Sequence, residues 1–295
     1  MDLFIPTCTR DLPQASLLLQ SLDTFLERSV VSSLTLANID RPETLSEMRR
    51  LTTHKFQSCT QYLCPDDLGL HETAGDWRQG WKLQQAAKLS FARHASTEFF
   101  MVLDSKNFAL RPIRATDLIE GGRARLMPEA ISLHTKWWRG SAWALAHKRF
   151  DRTPDRVAIS SGTPVIFHTA SVVALIDWLE RHHGKSLEQF FEEPRPIRHR
   201  IMRPTEFTLY YVYMDREGLL DRYHVMWDCL HDTASQIWAS FTPSVRQERL
   251  RRILGGRTSG LFTGIAFAAW ETLAEADRAS LHALVRGSTP LEVER

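Results

Sequence analysis

The hydrophobic pattern opens with a short apolar run, Leu3-Phe4-Ile5, which stops at Pro6 and gives way to the polar stretch Thr7 to Asp11. A helical pattern follows from Ala15 to Leu22, so the chain begins as strand, polar turn and helix. The same step recurs with Ser33 to Ile39 as a strand and a helix near Leu45 to Leu51, and more weakly around Phe56 to Leu63. Gly80 to Arg93 reads as a helix. Its apolar residues do not fall on a single stripe, which predicts burial on more than one side. Phe99 to Leu103 is a continuous apolar run that ends abruptly in Asp104-Ser105-Lys106-Asn107 and is closed within strand length by Arg111-Pro112. Such a run predicts a strand covered on both faces, whose carboxyl end borders a ligand crevice.

Further along, Ala115 to Glu120 predicts a short helix or turn, Gly121-Gly122 a break and Ala124 to Leu126 a strand. Thr163 to Thr169 predicts a strand with a polar end, followed by an amphipathic helix from Ala170 to Arg181 and more helix over Glu188 to Glu193. Thr205 is a good N-cap for an aromatic-rich helix that carries Glu206 in its first turn. Ser244 to Leu254 predicts a basic helix, and Ile265 to Val285 a final one. Strands alternating with helices over this length predict an α/β protein.

Composition narrows the picture. With 295 residues and 43% hydrophobic content the chain can bury a large core. Lys and Arg number 37 against 35 Asp and Glu, which gives no general electrostatic case for nucleic acid. The four cysteines form no C-x-x-C pair, and His54, Cys59 and Cys64 are spaced in a way that does not favour one zinc site. The amino terminus lacks the basic flank and longer apolar stretch of a secretory signal, and no apolar run approaches the ~20 residues of a membrane helix. A cytoplasmic protein is the expectation.

Candidate chemistry sits at the polar ends of the elements. Arg10 and Asp11 follow the first strand and read either as a ligand contact or as a surface ion pair. There is no glycine fingerprint of a dinucleotide site or P-loop. Gln84 and Lys88 are four apart and Gln85 and Lys88 three apart, so each pair can share a helical face that presents amides and an ammonium to an anion, or to solvent. Trp137 and Trp138 offer stacking faces or core packing, and the run of arginines over 195–200 offers phosphate contact or a solvated loop. Glu206 is a general base if it faces a crevice, and a capping acid otherwise. Arg246, Arg249, Arg251 and Arg252 with Leu250 and Ile253 make an amphipathic basic helix with the pattern of a peripheral membrane contact.

Four stretches taken together carry a resemblance: Ile5-Pro6-Thr7-x-x-Arg10-Asp11, Gly80-Trp81-x-x-Gln84-Gln85-x-x-Lys88-Leu89, Leu103-Asp104-Ser105-Lys106-Asn107 and Thr205-Glu206-Phe207-x-Leu209-Tyr210. In this order and spacing, over roughly residues 2 to 270, the chain resembles a bacterial glycosyltransferase family of GT-A type. The resemblance implies one GT-A-like, Rossmann-like domain over 1–295, a mixed sheet flanked by helices. About 1–125 would bind a nucleotide-diphosphate sugar, and about 126–295 the acceptor, a glycan or other hydroxyl compound, in cell-surface glycan or polysaccharide synthesis. It implies donor contacts by Thr7, Arg10, Gln84, Gln85, Lys88, Asp104 and Asn107, acceptor contacts by Trp137, Trp138 and His168, and catalysis by Glu206 and Lys106. Asp104 takes the place of the first acid in the Asp-x-Asp motif that holds Mn²⁺ or Mg²⁺ against the diphosphate. The third position is Lys106 instead of an acid, so a fixed cation can stand where part of the metal's charge would be. A non-catalytic nucleotide-sugar or glycan-binding protein that keeps the fold is the alternative, and a module that binds a partner protein through its Trp and Arg segments is a third.

Overall fold

In the computed structural model the described residues are 1–40, 43–51, 54–70, 77–127, 162–192, 204–227 and 229–287. The strands are β1 (Asp2–Thr7), β2 (Ser33–Asn38), β3 (Thr60–Leu63), β4 (Phe99–Val102), β5 (Asn107–Ala109), β6 (Ile119–Glu120), β7 (Arg123–Leu126), β8 (Val165–His168), β9 (His224–Met226) and β10 (Phe262–Gly264). The helices are α1 (Leu12–Phe25), α2 (Thr44–Met48), α3 (Trp77–Ser90), α4 (Ala115–Leu118), α5 (Thr169–His183), α6 (Leu187–Glu192), α7 (Glu206–Arg216), α8 (Leu220–Tyr223), α9 (Pro243–Leu254), α10 (Phe267–Trp270) and α11 (Glu275–Val285).

The central sheet runs β3-β2-β1-β4-β8. β1, β2, β3 and β4 are parallel, and β8 closes the edge antiparallel to β4. This is the α/β mixed sheet flanked by helices that the pattern and the resemblance predict. Its strands are continuously apolar because both faces are covered. Leu3, Ile5, Met101 and Leu103 alternate onto one face, where Leu18, Leu19 and Leu22 of α1 meet them. Phe4, Phe100 and Val102 point to the other, against α3, α5 and α7. Asp2 fixes the entry to β1, accepting hydrogen bonds from Ser33 Oγ at 2.7 Å, Ser96 N at 2.6 Å and Thr97 Oγ1 at 3.0 Å. Because β1 sits between β2 and β4, with the chain departing to opposite sides, their carboxyl ends flank a topological switch point, where open α/β sheets bind ligands.

The two halves of the chain interleave. β8 supplies the partner of β4, with Val165 opposite Val102 and His168 opposite Phe99, and β10 pairs antiparallel with β5. That second pairing corrects the expected final helix over Ile265 to Val285. Ile265 N–H donates to Lys106 O at 3.0 Å and Ala266 N–H to Ile237 O at 2.9 Å, so the backbone there is engaged across the fold. Helix resumes only as the short α10, then α11 behind the extended N-cap Ala274. The basic helix α9 forms as expected, but its apolar stripe is already covered. Leu250 and Ile253 are buried with Trp270, Leu281 and Val285. Arg249 Nη1 donates to Gln236 O at 2.6 Å and Arg246 Nη1 to Thr272 Oγ1 at 2.6 Å. The face expected to contact a membrane is therefore spent in the core. Among the described residues no helix is long and apolar enough to cross a membrane.

One buried polar chain links α7 to the sheet. The Tyr210 hydroxyl accepts from His168 N–H at 2.9 Å and lies 2.9 Å from His224 Nε2. A hydroxyl has one proton and two acceptor lone pairs, so it can serve Nε2 either as donor or as a second acceptor. Burial, only partly offset by the backbone of Ala124, holds the His224 pKa down to about 3 from an ordinary 6.5. The unfolded chain thus takes up a proton below 6.5 that the folded chain refuses. Stability from the neutral ring is complete above 6.5 and drains away as pH falls toward 3, by up to about 1.4 kcal/mol per pH unit. Thermal melts across that window should show a steeper loss for the wild-type chain than for His224→Gln, whose amide keeps an acceptor for Tyr210 but does not titrate; parallel losses would count against His224 as the cause.

Candidate functional site

At the carboxyl end of β4 the chain turns through Asp104 to Asn107. Asn107 makes the turn: its Oδ1 accepts from Asp104 N–H at 2.8 Å, its own N–H donates to Asp104 O at 2.9 Å, and its Nδ2 donates to Thr163 O at 3.1 Å. The amide that the resemblance assigns to the donor is thus engaged at both ends within the chain. Gly264 lies behind this turn. A Cβ there would stand 3.2 Å from both Asn107 Nδ2 and Lys106 O, so a glycine lets β10 approach this closely.

The turn presents Asp104 to two lysines. Lys88 Nζ is 2.7 Å from Asp104 Oδ1, and Lys106 Nζ is 2.7 Å from Oδ2. Gln84 Nε2 adds a donor to Oδ1 at 3.4 Å. Lys88 continues inward to Glu206 Oε1 at 3.0 Å, so four charges alternate in the order Lys106, Asp104, Lys88, Glu206. Exposure falls along the series, with side chains exposed by 26%, 13%, 4% and 3% respectively. Burial opposes the charge on Asp104, yet Lys106 and Lys88 outweigh it and hold this carboxyl far below the usual range. Burial would likewise lower Lys88, but Asp104 and Glu206 raise it. Glu206 is raised, because its burial exceeds what Lys88 returns.

The helical spacing explains how α3 builds this cluster. Gln84 and Lys88, one turn apart, both reach Asp104. Gln85 turns toward α7, where its Oε1 accepts from Glu206 N–H at 3.3 Å. Thr205 caps α7 as expected, accepting from Thr208 N–H at 3.2 Å. Gln84 and Lys88 do meet an anion, but the anions are the chain's own Asp104 and, for Lys88, Glu206. Lys88 is therefore spent inside the protein and does not stand at a donor surface.

The loop after β1 forms the opposite wall. Ser105 Oγ reaches Asp11 Oδ2 at 3.4 Å, joining the two loops of the switch point. Arg10, 55% exposed, pairs with Asp11 at 3.2 Å and lies over the Phe267 ring at 4.8 Å. Thr7 is fully buried, its hydroxyl turned back 3.5 Å from Ile5 O. Burial, with Asp11 beside it, pushes the Cys8 thiol up to about 12, so it offers no nucleophile. On the C-terminal side the half-buried Trp238 ring lies 5.3 Å from Lys106 Nζ.

The loops at the carboxyl ends of β1 and β4 thus carry Arg10, Asp104 and Lys106, with Gln84 at Asp104 and with Lys88 and Glu206 buried beneath. His168 is not among them; it pairs with Phe99 at the amino end of β4, five residues or about 17 Å along the strand from Asp104. The His168 ring is stacked on Tyr223 at 3.6 Å, and its Nδ1 is 2.8 Å from Ser171 Oγ. Trp137, Trp138 and the arginine run over 195–200 lie outside the described residues. Trp238 and Phe267 are the site residues that sequence reasoning missed. Neither belongs to a motif, and the pairing of β10 with β5 together with the bridge of Ile237 to Ile265 carries them to Lys106 and Arg10.

The sequence model of a family of unknown function (DUF6492) matches residues 1–257. No curated protein matches the chain. Among solved structures, the apo form of mouse xyloside xylosyltransferase 1 is similar at 11% identity and a TM-score of 0.47, over 89% of this chain and 96% of that one. The glycosyltransferase GlyE of Streptococcus pneumoniae TIGR4 is similar at 12% identity and a TM-score of 0.48, over 97% of this chain and 62% of that one. This chain thus spans less than two thirds of GlyE. Both likenesses are distant, and the architecture described above rests on this chain's own topology.

Removing Lys88 leaves Glu206 buried without its cation, whereas Asp104 keeps Lys106. Lys88→Met should therefore cost about 3 kcal/mol in urea unfolding, at the lower end for a broken buried pair. Adding Glu206→Gln should recover part of that loss, since the second change removes the orphaned charge. Additive losses in the double variant would show that the two groups are not coupled.

Proposed function

The chain belongs to the family of unknown function DUF6492, and from its site we propose that it is a GT-A-like glycosyltransferase, moving a sugar from a nucleotide-diphosphate donor to a hydroxyl acceptor. The observation that carries this reading is the pairing at the switch point of a polar β1 loop with the Asp104–Asn107 turn, linked through Ser105 and Asp11. Ligands of open α/β sheets bind at that place. The resemblance of the four motifs supplies the substrate class.

The chemistry divides between the two ends of the charge series. The acceptor oxygen forms a bond to the anomeric carbon as its proton passes to Glu206. The bond from that carbon to the diphosphate breaks, and the nucleoside diphosphate leaves with the electron pair. Lys106, the outermost cation, meets the charge that develops on the leaving oxygen. The raised pKa of Glu206 suits it to accept a proton better than an ordinary carboxylate. Its 3% exposure requires the acceptor hydroxyl to reach deep into the crevice.

Binding without transfer is the second reading, favoured by one observation: both oxygens of Asp104 are already held by lysines. A thermal-shift screen of nucleoside diphosphates and their sugars, followed by transfer assays on an acceptor panel, separates the two. The enzyme reading expects a rise in melting temperature with at least one nucleotide, because a ligand of the native state stabilises it, and turnover with its sugar. Glu206→Gln should then lower transfer by about a hundredfold or more with nucleotide binding intact. Unchanged turnover would remove Glu206 from the mechanism, and binding with no transfer to any acceptor would favour the second reading.

A further inference from the structure

We infer that the site receives the diphosphate of its nucleotide ligand on the ammonium of Lys106, held between Asp104 and the Trp238 ring, without a divalent metal. The inference rests on the proposed nucleotide-diphosphate ligand and concerns how that ligand is held. The Asp-x-Asp pattern of the resembled family implies Mn²⁺ or Mg²⁺ on Asp104, and the residues present do not fit such an ion.

The misfit lies in the donor set. A divalent cation needs oxygen ligands at about 2.0–2.6 Å. Each oxygen of Asp104 is instead 2.7 Å from a lysine Nζ, Lys88 on one side and Lys106 on the other. Whichever oxygen an ion chose, it would stand within about 5 Å of an ammonium, by the sum of those two distances. Lys88 has no way out, because it is buried and tied also to Glu206 at 3.0 Å. The position that supplies the second acid of the pattern is Lys106 itself.

Lys106, by contrast, is placed to do what the ion would do for charge. It is the most exposed member of the series, at 26%. An ammonium has three N–H groups, and one goes to Asp104 at 2.7 Å. The Trp238 ring at 5.3 Å adds a second attraction that holds the cation at the mouth. Among the described residues the remaining donors meet no other acceptor and can turn to phosphate oxygens, with Arg10 on the loop after β1 as a second exposed cation. Asp104 therefore acts as a positioning residue for Lys106, and Lys88 with Glu206 fixes Asp104 from beneath.

The test is calorimetric titration of the full chain with UDP, GDP, ADP, CDP and dTDP, once in EDTA and once in Mn²⁺. For the nucleotide that binds, the expected result is the same affinity in both buffers. Lys106→Gln should bind it at least about tenfold more weakly in both, as befits loss of a charged hydrogen bond. Trp238→Leu should weaken binding and Trp238→Phe, which keeps an aromatic face, should restore it. Melting temperatures of the unliganded variants report whether each is folded, and the wild-type comparison of EDTA with Mn²⁺ stands whether or not they are. Binding that appears only with Mn²⁺ overturns the metal-free inference and leaves the glycosyltransferase reading in place. Wild-type affinity in folded Lys106→Gln also overturns it. Absence of binding by every nucleotide in both buffers overturns the ligand class, and the inference with it.

Discussion

Asp104 holds two ammonium groups at once, and the geometry of the site depends on that carboxylate. Through Lys88 it binds the tip of β4 to the last turn of α3 and the first turn of α7; through Lys106 it binds the turn that follows. Charges removed from water to this degree are poor sources of stability, because desolvation offsets most of their attraction. Their value is in what they forbid. Lys88 cannot shift without leaving Glu206 buried and unpaired, nor Asp104 without leaving Lys106 without its carboxylate, which ties α3, α7 and the end of β4 together.

The architecture was legible to different depths along the chain. The parallel strands announced themselves because both faces are covered, which makes Leu3-Phe4-Ile5 and Phe99 to Leu103 continuous apolar runs. Thr205 announced α7 through local chemistry, a hydroxyl that caps its own helix. The segment after Ile265 misled, because its composition suits a helix while its amide hydrogens are claimed by Lys106 O and Ile237 O, partners far away in sequence. Local pattern carries no sign of such distant pairing.

The site was legible in its members more than in their roles. The spacing of Gln84, Gln85 and Lys88 left their face open between an anion and solvent; the fold turns Gln84 and Lys88 to the chain's own Asp104 and Gln85 to the backbone of α7, and a sequence does not carry that pairing. His168 looked like a strand-end residue near the crevice. Because β8 runs antiparallel to β4, its polar end lies at the opposite edge of the sheet. Trp238 gave no signal at all, since a solitary tryptophan in a loop acquires meaning only from what the fold sets beside it.

The antiparallel strand β8 has a consequence for the order in which the protein is made. β1, β2 and β3 are supplied by the first part of the chain, but the second neighbour of β4 is β8, residues 165–168, so that edge is covered only when this later stretch is in place. The Asp104–Asn107 turn waits longer still, for Thr163 to take the Asn107 amide and for Gly264 and Ile265 to close behind Lys106. Contacts this distant in sequence form late, after the loops between them have been closed. The turn that carries Asp104 and Lys106 is thus held by stretches of chain far apart in sequence, and a change near residue 163 or 264 reaches the site without touching it.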